Sequence, residues 1–195
     1  MKFEKDYWEF KWKNGQTGWD IGHLSPPIQH FIDTLSEKET KILIPGAGNA
    51  YEGEYLYKKD FKHTHLLDYS PLPFDNLLNR FPQFPKENLF NSDFFTFTGK
   101  YDLILEQTFF SAIPPADRIS YASKMHDLLE DNGLLVGLLF SIEFGNSHPP
   151  FGGSKEEYTQ LFSPLFDIEI LETSYNSIAP RKGSELFIKL RKKII

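Results

Sequence analysis

The 195-residue chain contains no cysteine. Disulfides, thiolate metal sites and a thiol nucleophile are excluded together, and the composition fits a reducing compartment. Long apolar runs are missing too. The longest, LLVGLLF at 134–140, is far too short to span a bilayer and reads as a buried strand. The opening MKFEKDYWEFKWK has no apolar segment of the signal-peptide kind, so a cytoplasmic protein is expected. Nor is there an excess of positive charge: 21 Lys and Arg against 27 Asp and Glu leave a net charge of -6. Binding to nucleic acid or to an anionic membrane needs a basic surface, so neither partner is expected. The basic end KLRKKII is short and reads as a solvated strand end. No repeat, low-complexity tract or linker divides the chain, and no strongly apolar surface helix stands out. One domain over 1–195, acting as a monomer, is expected.

Aromatic residues are abundant, at 16%, and all three tryptophans, Trp8, Trp12 and Trp19, fall near the start. PPIQHFIDTL begins with prolines suited to a first helical turn and places Ile28, Phe31, Ile32 and Leu35 on one face. Residues 1–40 therefore read as a helical cap followed by a helix leading into the core. From Lys41 onward strands alternate with helices. The strands are KILIP, HTHLLDYS, LFNSDFF, YDLILEQT and LLVGLLFS. Between the last two, PADRISYASKMHDLLEDNG reads as a helix with Ile119, Ala122, Met125, Leu128 and Leu129 on its apolar stripe, stopped by Asn132-Gly133. Another helix, KEEYTQLFSPL, precedes DIEILETSY and ELFIKLRKK, which alternate like an antiparallel pair. The pattern predicts a doubly wound, Rossmann-like α/β fold. Its sheet is seven-stranded and mostly parallel, with helices on both faces, the last strands antiparallel and ligands at the carboxyl ends of the strands.

ILIPGAGNAYEGEYL (42–56) holds the most informative turn. Gly46 and Gly48 end a strand and open a helix, an arrangement that cradles nucleotide-like ligands. A dinucleotide fingerprint requires a third glycine where Tyr51 stands, and its pyrophosphate would meet Glu52 and Glu54. NAD is disfavoured on both counts. No Gly-Lys-Ser/Thr follows, which excludes a Walker A loop. A ligand with no phosphate and a cationic end suits the turn better, and S-adenosylmethionine is such a ligand. Asp68, 22 residues after Gly46, closes the second strand and is placed to accept hydrogen bonds from both ribose hydroxyls. Asp93 and Phe94, at the end of the third strand, are placed to take the adenine amino group and to stack on the base. Each feature alone has a bland reading, a tight turn or a solvated acid. As a set they favour a methyltransferase.

The chain resembles the thiopurine S-methyltransferase superfamily of class I methyltransferases, and within it the plant-type halide/thiol methyltransferases. The resemblance rests on YWEFKWKNGQTGWDIGHLSPPIQHFI, ILIPGAGNAYEGEYL, LLDYS, SDFFTF, YDLILEQTFFSAIPPADRISYASKMHDLL and SYNSIAPRKGSELF. It implies that Trp8, Trp12 and Trp19 belong to a cap that closes over the cofactor, and that Gly46 begins the cofactor loop. It further implies that Asp68 binds the ribose, Asp93 and Phe94 contact the adenine, and Gln107 touches the cofactor just past the fourth strand. Phe151 keeps an aromatic residue on the substrate side. Four positions depart from the family pattern: Ala47 stands for Cys, Glu52 for Asp, Gln107 for Tyr or Arg, and His148 for the glycine before Pro149-Pro150.

Methyl transfer from a sulfonium is an in-line displacement that needs a positioned nucleophile and a dry pocket. A thiol, hydrosulfide or halide acceptor needs little or no general base, so no catalytic dyad is expected. An aromatic thiol, a thiopurine, a selenium or tellurium species, or cofactor binding without turnover are the alternatives. His23, His30, His63, His65, His126 and His148 are scattered without metal spacing, and His148 is expected to face the pocket. Arg118 reads equally as a solvated first-turn residue and as a substrate-side contact. HPPFGG is similar to the Asn-Pro-Pro-aromatic motif of nucleic-acid amino-methyltransferases, but it follows the fifth strand rather than the fourth and sits in an acidic chain.

Overall fold

The computed structural model describes residues 5–194; the first four residues and Ile195, which the expected domain includes, lie outside the described residues. Seven strands form one sheet in the order β3-β2-β1-β4-β5-β7-β6. In chain order they are β1 (Ile42–Pro45), β2 (Thr64–Asp68), β3 (Leu89–Asn91), β4 (Tyr101–Gln107), β5 (Leu129–Phe140), β6 (Phe166–Thr173) and β7 (Glu185–Lys192). The first five run parallel, and β7 lies antiparallel between β5 and β6. Chain order reverses between β1 and β4, so the crevice at their carboxyl ends is the natural ligand site of such a sheet.

The central strands are apolar on both faces because each face is covered. Leu43, Ile104, Leu135 and Leu139 point into one core with α5 (Arg118–Leu128) and α6 (Lys155–Phe162). Ile42, Ile44, Leu103, Leu105, Val136 and Leu138 point into the other. That core is closed by α2 (Pro26–Asp33), α3 (Tyr51–Lys58) and α4 (Leu72–Arg80). Side chains alternate along a strand, so a run apolar at every position fills two cores at once. Of the stretch expected as a cap, α2 buries Ile28 and Ile32 in the body. By contrast α1 (Lys5–Lys13) has no buried residue and lies outside it.

Three local expectations are corrected. The long helix ends at Leu128, ten residues after it begins, and Leu129 already pairs with Tyr101. Residues 130–133 bulge from the ladder before Leu134 pairs with Leu103, with Asn132 at φ +63°. Ile119, placed on the apolar stripe by its spacing, is 75% exposed, and Tyr121 occupies the core instead. Strand β3 stops at Asn91, because the Asp93 carboxylate accepts the Phe95 N–H (2.8 Å) and the Asp93 carbonyl accepts those of Thr96 and Phe97. A short acid capturing nearby backbone donors turns the chain out of the sheet.

Candidate active site

After β1 the chain turns through Gly46-Ala47-Gly48, both glycines in the left-handed region, at φ +60° and +50°. At Gly46 the need for glycine is also steric. A Cβ there would lie 2.6 Å from Phe109 Cγ and 2.9 Å from Phe109 Cβ. The turn is tied to β2 by the Ala47 N–H, which donates to the Leu67 carbonyl (3.0 Å), and by the Gly48 N–H, which donates to Asp68 Oδ2 (2.9 Å). The close helix–strand contact of the dinucleotide fingerprint exists here two residues beyond Tyr51. Gly53 rests on Leu66, whose Cδ2 would be 2.7 Å from an added Cβ.

A cavity of about 550 Å³ opens over the carboxyl ends of the strands. Its floor includes Gly46, Leu67, Asp68, Ser92, Phe94, Thr108 and Phe109. Its lid is Tyr7, Trp8, Lys11, Gln16, Gly18 and Trp19, and its far wall Phe140, Ile142, Phe144, Pro149, Pro150 and Arg181. A smaller cavity of about 50 Å³ adjoins it, bounded by Asp20, His23, Gly48, Glu52 and Gln107 among others. Trp19, Gly46 and Thr108 line both.

The lid packs edge to face: Trp19 lies between Trp8 (5.5 Å) and Trp12 (5.6 Å). Hydrogen bonds among the described residues hold it to the body. Arg181 Nη2 donates to the Trp19 carbonyl (2.8 Å) while Nη1 pairs with the buried Glu185. Asn49 Nδ2 donates to Asp20 Oδ2, and Tyr51 OH donates to the same oxygen (3.4 Å). Arg80 reaches the Asn49 carbonyl (2.6 Å) and Glu54 (2.5 Å) from α4.

Three carboxyl groups around the site are displaced from their ordinary range. Burial pushes Asp68 up to about 6, against the N–H donors of Ser70, Gly48 and Tyr69. Burial raises Glu52, which borders the small cavity and accepts its own N–H and that of Ser25. Burial also works to raise Glu54, but Lys58 and Arg80 more than offset it and leave its pKa lowered. The two glutamates that follow the glycine turn thus differ in kind: Glu52 faces the site, and Glu54 is neutralised at the surface. Beneath the floor, burial drives Glu106 to about 8; its Oε1 accepts the Phe110 N–H (2.7 Å) and its Oε2 has no partner among the described residues.

The structure brings most of the sequence-derived residues to these cavities. Trp8, Asp68 and Phe94 line the large one, Gly48 and Gln107 the small one, and Trp19 and Gly46 both. Gln107 Oε1 is buried and has no hydrogen-bond partner among the described residues. Trp12 stands behind Trp19, 3.8 Å from where a Gly48 Cβ would be. Asp93 sits between the wall residues Ser92 and Phe94, outside both cavity walls. Phe151 also lies outside them; its N–H donates to the Ser111 carbonyl (2.7 Å), and Pro149 and Pro150 form the wall there. His148 is exposed, with Nδ1 2.8 Å from the Pro149 carbonyl oxygen.

Arg118 is neither solvated nor at the cavity. It is 3% exposed, pairs with Glu157 of α6, donates to the Gly152 carbonyl (2.7 Å) and lies over the Phe110 ring. Sequence reasoning missed Thr108, Glu106 and Arg181. Glu106 carried a signal, a lone acid inside an apolar strand. Arg181 carried none, since its partner Trp19 is 162 residues away.

The sheet order, with β7 between β5 and β6, and the crevice at β1 and β4 are those of class I S-adenosylmethionine-dependent methyltransferases. A solved example is the 1,6-didemethyltoxoflavin-N1-methyltransferase of Burkholderia thailandensis. It superposes with a TM-score of 0.77 at 16% identity over 97% of this chain and 87% of that one, and was solved with bound 1,6-didemethyltoxoflavin and S-adenosylhomocysteine. Residues 3–193 match the family model for thiopurine S-methyltransferase. A probable thiol methyltransferase 2 of Arabidopsis thaliana is 34% identical over 184 residues, 91% of this chain and 81% of the relative. A thiocyanate methyltransferase 1 of Brassica oleracea is 30% identical over 93% of this chain and 83% of the relative. The chain belongs to the thiopurine S-methyltransferase family, and it is an S-adenosylmethionine-dependent methyltransferase. Among the described residues no helix is long and apolar enough to cross a membrane.

Proposed function

We propose that this chain methylates a small nucleophile that arrives already ionised: a thiolate, hydrosulfide, thiocyanate or halide. The observation that carries this reading is the far wall of the large cavity. Phe140, Ile142, Phe144, Pro149, Pro150 and Arg181 include no carboxylate and no imidazole, and the Arg181 guanidinium is committed to Glu185 and Trp19. Among the described residues, the one carboxylate in the cavity wall is Asp68, held by the N–H groups of Gly48 and Ser70. With no carboxylate or imidazole among these far-wall residues to remove a proton, the acceptor must arrive already ionised.

S-adenosylmethionine fits the other half of the site. Asp68 would take the ribose hydroxyls, Phe94 the adenine face, and Gly46 and Gly48 the main chain of the methionine part. The Glu52 carboxyl, which borders the small cavity, would receive its ammonium. When bound, the sulfonium supplies a methyl group that a nucleophile displaces in line. The lid tryptophans exclude water, so an ionised nucleophile meets the cation without its hydration shell. The aromatic and proline far wall favours an aromatic thiol or thiopurine as the second reading, since flat rings stack on such surfaces. The relatives named for thiol and thiocyanate methylation support the first.

The test is the pH dependence of transfer between about pH 7 and about 9. With a series of aryl thiols the rate should rise with the thiolate fraction and level at each thiol's own pKa, and with thiocyanate that limb should be absent. A limb that stays at one pH for every acceptor would reveal a protein base and end this reading.

A further inference from the structure

We propose that Thr108 is a positioning residue for methyl transfer, held in a strained backbone conformation where the two cavities share a wall. The inference rests on the reading that transfer occurs at this site. Four non-glycine residues among those described have positive φ: Ala50, Asp60, Thr108 and Asn132, at +53°, +69°, +62° and +63°. Asp and Asn enter the left-handed region readily, because their short polar side chains bond locally. Ala50 has no polar side chain to bond, and Thr108, although its hydroxyl bonds the neighbouring carbonyl, is β-branched, the class of side chain least suited of all. Both unsuited residues border the site. Ala50 lines the small cavity and Thr108 both.

Such a conformation persists only when its surroundings over-determine it. Here every neighbour is bound. Thr108 Oγ1 donates to the Gln107 carbonyl (2.6 Å), and the Thr108 carbonyl accepts from Ser111 Oγ (2.6 Å). Phe109 is lodged against the bare α-carbon of Gly46, and the Phe110 N–H is held by Glu106 (2.7 Å). The sharp turn puts Gln107 on the small cavity, Phe109 and Ser111 on the large one, and Thr108 between them. A glycine would adopt this φ without the steric cost of a Cβ. The threonine side chain is therefore not there for stability; it sets the separation and orientation of what the two cavities hold.

The experiment compares the full chain with Thr108→Gly, Thr108→Asn and Thr108→Ser. Melting temperature, S-adenosylhomocysteine affinity by calorimetry and single-turnover methyl transfer to thiocyanate are read on each. Gly and Asn variants should melt no lower than wild type, because both residues accept the left-handed region. Their affinity should stay within about threefold while transfer slows by about tenfold or more, since small misplacements cost rate rather than affinity. The Ser variant, which keeps the hydroxyl, should recover most of the rate. Melting several degrees lower in both Gly and Asn variants would make Thr108 a stability residue and overturn the proposal, as would transfer at the wild-type rate in both. Active wild type with active variants overturns this proposal alone. Wild type that binds S-adenosylhomocysteine but methylates nothing overturns the functional reading with it.

Discussion

Asp68→Ala probes the hinge of the site. The carboxylate ties down the glycine turn through the Gly48 N–H and the next turn through the Ser70 N–H, each at 2.9 Å. The carboxylate keeps acceptor capacity for a ribose hydroxyl. Leaving the Gly48 and Ser70 N–H groups without their acceptor should destabilise the free protein by about 2 kcal/mol, and losing the hydroxyl bonds should weaken cofactor binding by a further 1–3 kcal/mol or so. At 1.4 kcal/mol per decade that is roughly 5- to 150-fold in Kd. Calorimetry with S-adenosylhomocysteine and its 2′-deoxy analogue separates the two effects. Wild type should discriminate between the ligands, and the variant should bind both alike. The pH dependence follows from Asp68 standing at about 6 in the free protein. Hydroxyl donors favour the ionised form, so affinity is full above that pH and is lost as pH falls through it; Asp68→Asn should show no such limb. Undiminished affinity in Asp68→Ala, or retained discrimination against the deoxy ligand, would refute the assignment.

Other substitutions test the surrounding structure. Glu106 rises from an ordinary 4.5 to about 8, so the folded state holds its proton more tightly and stability falls as pH climbs from 4.5 through 8. Glu106→Gln should remove up to ~5 kcal/mol of that loss, seen as a flatter urea midpoint between about pH 5 and about 9, and equal slopes in both proteins would contradict it. Arg118→Met leaves the Gly152 carbonyl unpaired behind Pro149-Pro150, which should cost about 2 kcal/mol in denaturant melts and raise acceptor KM at unchanged cofactor affinity. A shift in cofactor affinity alone would disprove that role. Gly46→Ala should destabilise by about 2–4 kcal/mol, because both φ and Phe109 oppose a Cβ, whereas Gly48→Ala should cost about 1 kcal/mol. Equal costs in thermal melts would show that Phe109 yields.

The sequence was most legible where physics is local. Strands apolar at every position, such as Ile42–Pro45, announced a sheet covered on both faces, and the Gly46–Asp68 spacing placed the ligand turn beside the end of β2. Periodicity misled where other bonds compete with it. Leu129 could extend a helix or pair with Tyr101, and two lysines favour the pairing: Lys192 of β7 and Lys100 both donate to the Leu129 carbonyl, at 2.8 and 3.3 Å. Ile119 and Tyr121 are two positions apart, and the choice of which faces inward depended on the aromatic group of Phe94, Phe109 and Phe110 that receives Tyr121. Beyond Pro149-Pro150, the far wall and the clamps on the lid were illegible because each joins segments distant in sequence, as Arg118 joins Glu157 and Arg181 joins Trp19.

The most direct test of the central claim is transfer of the labelled methyl group of S-adenosylmethionine to hydrosulfide, thiocyanate, iodide, aryl thiols and thiopurines, with volatile and soluble products both collected. Methylated product from a sulfur or halide acceptor, formed in step with S-adenosylhomocysteine, is the result this structure leads us to expect. Tight binding of S-adenosylhomocysteine with no product from any of these acceptors would contradict it.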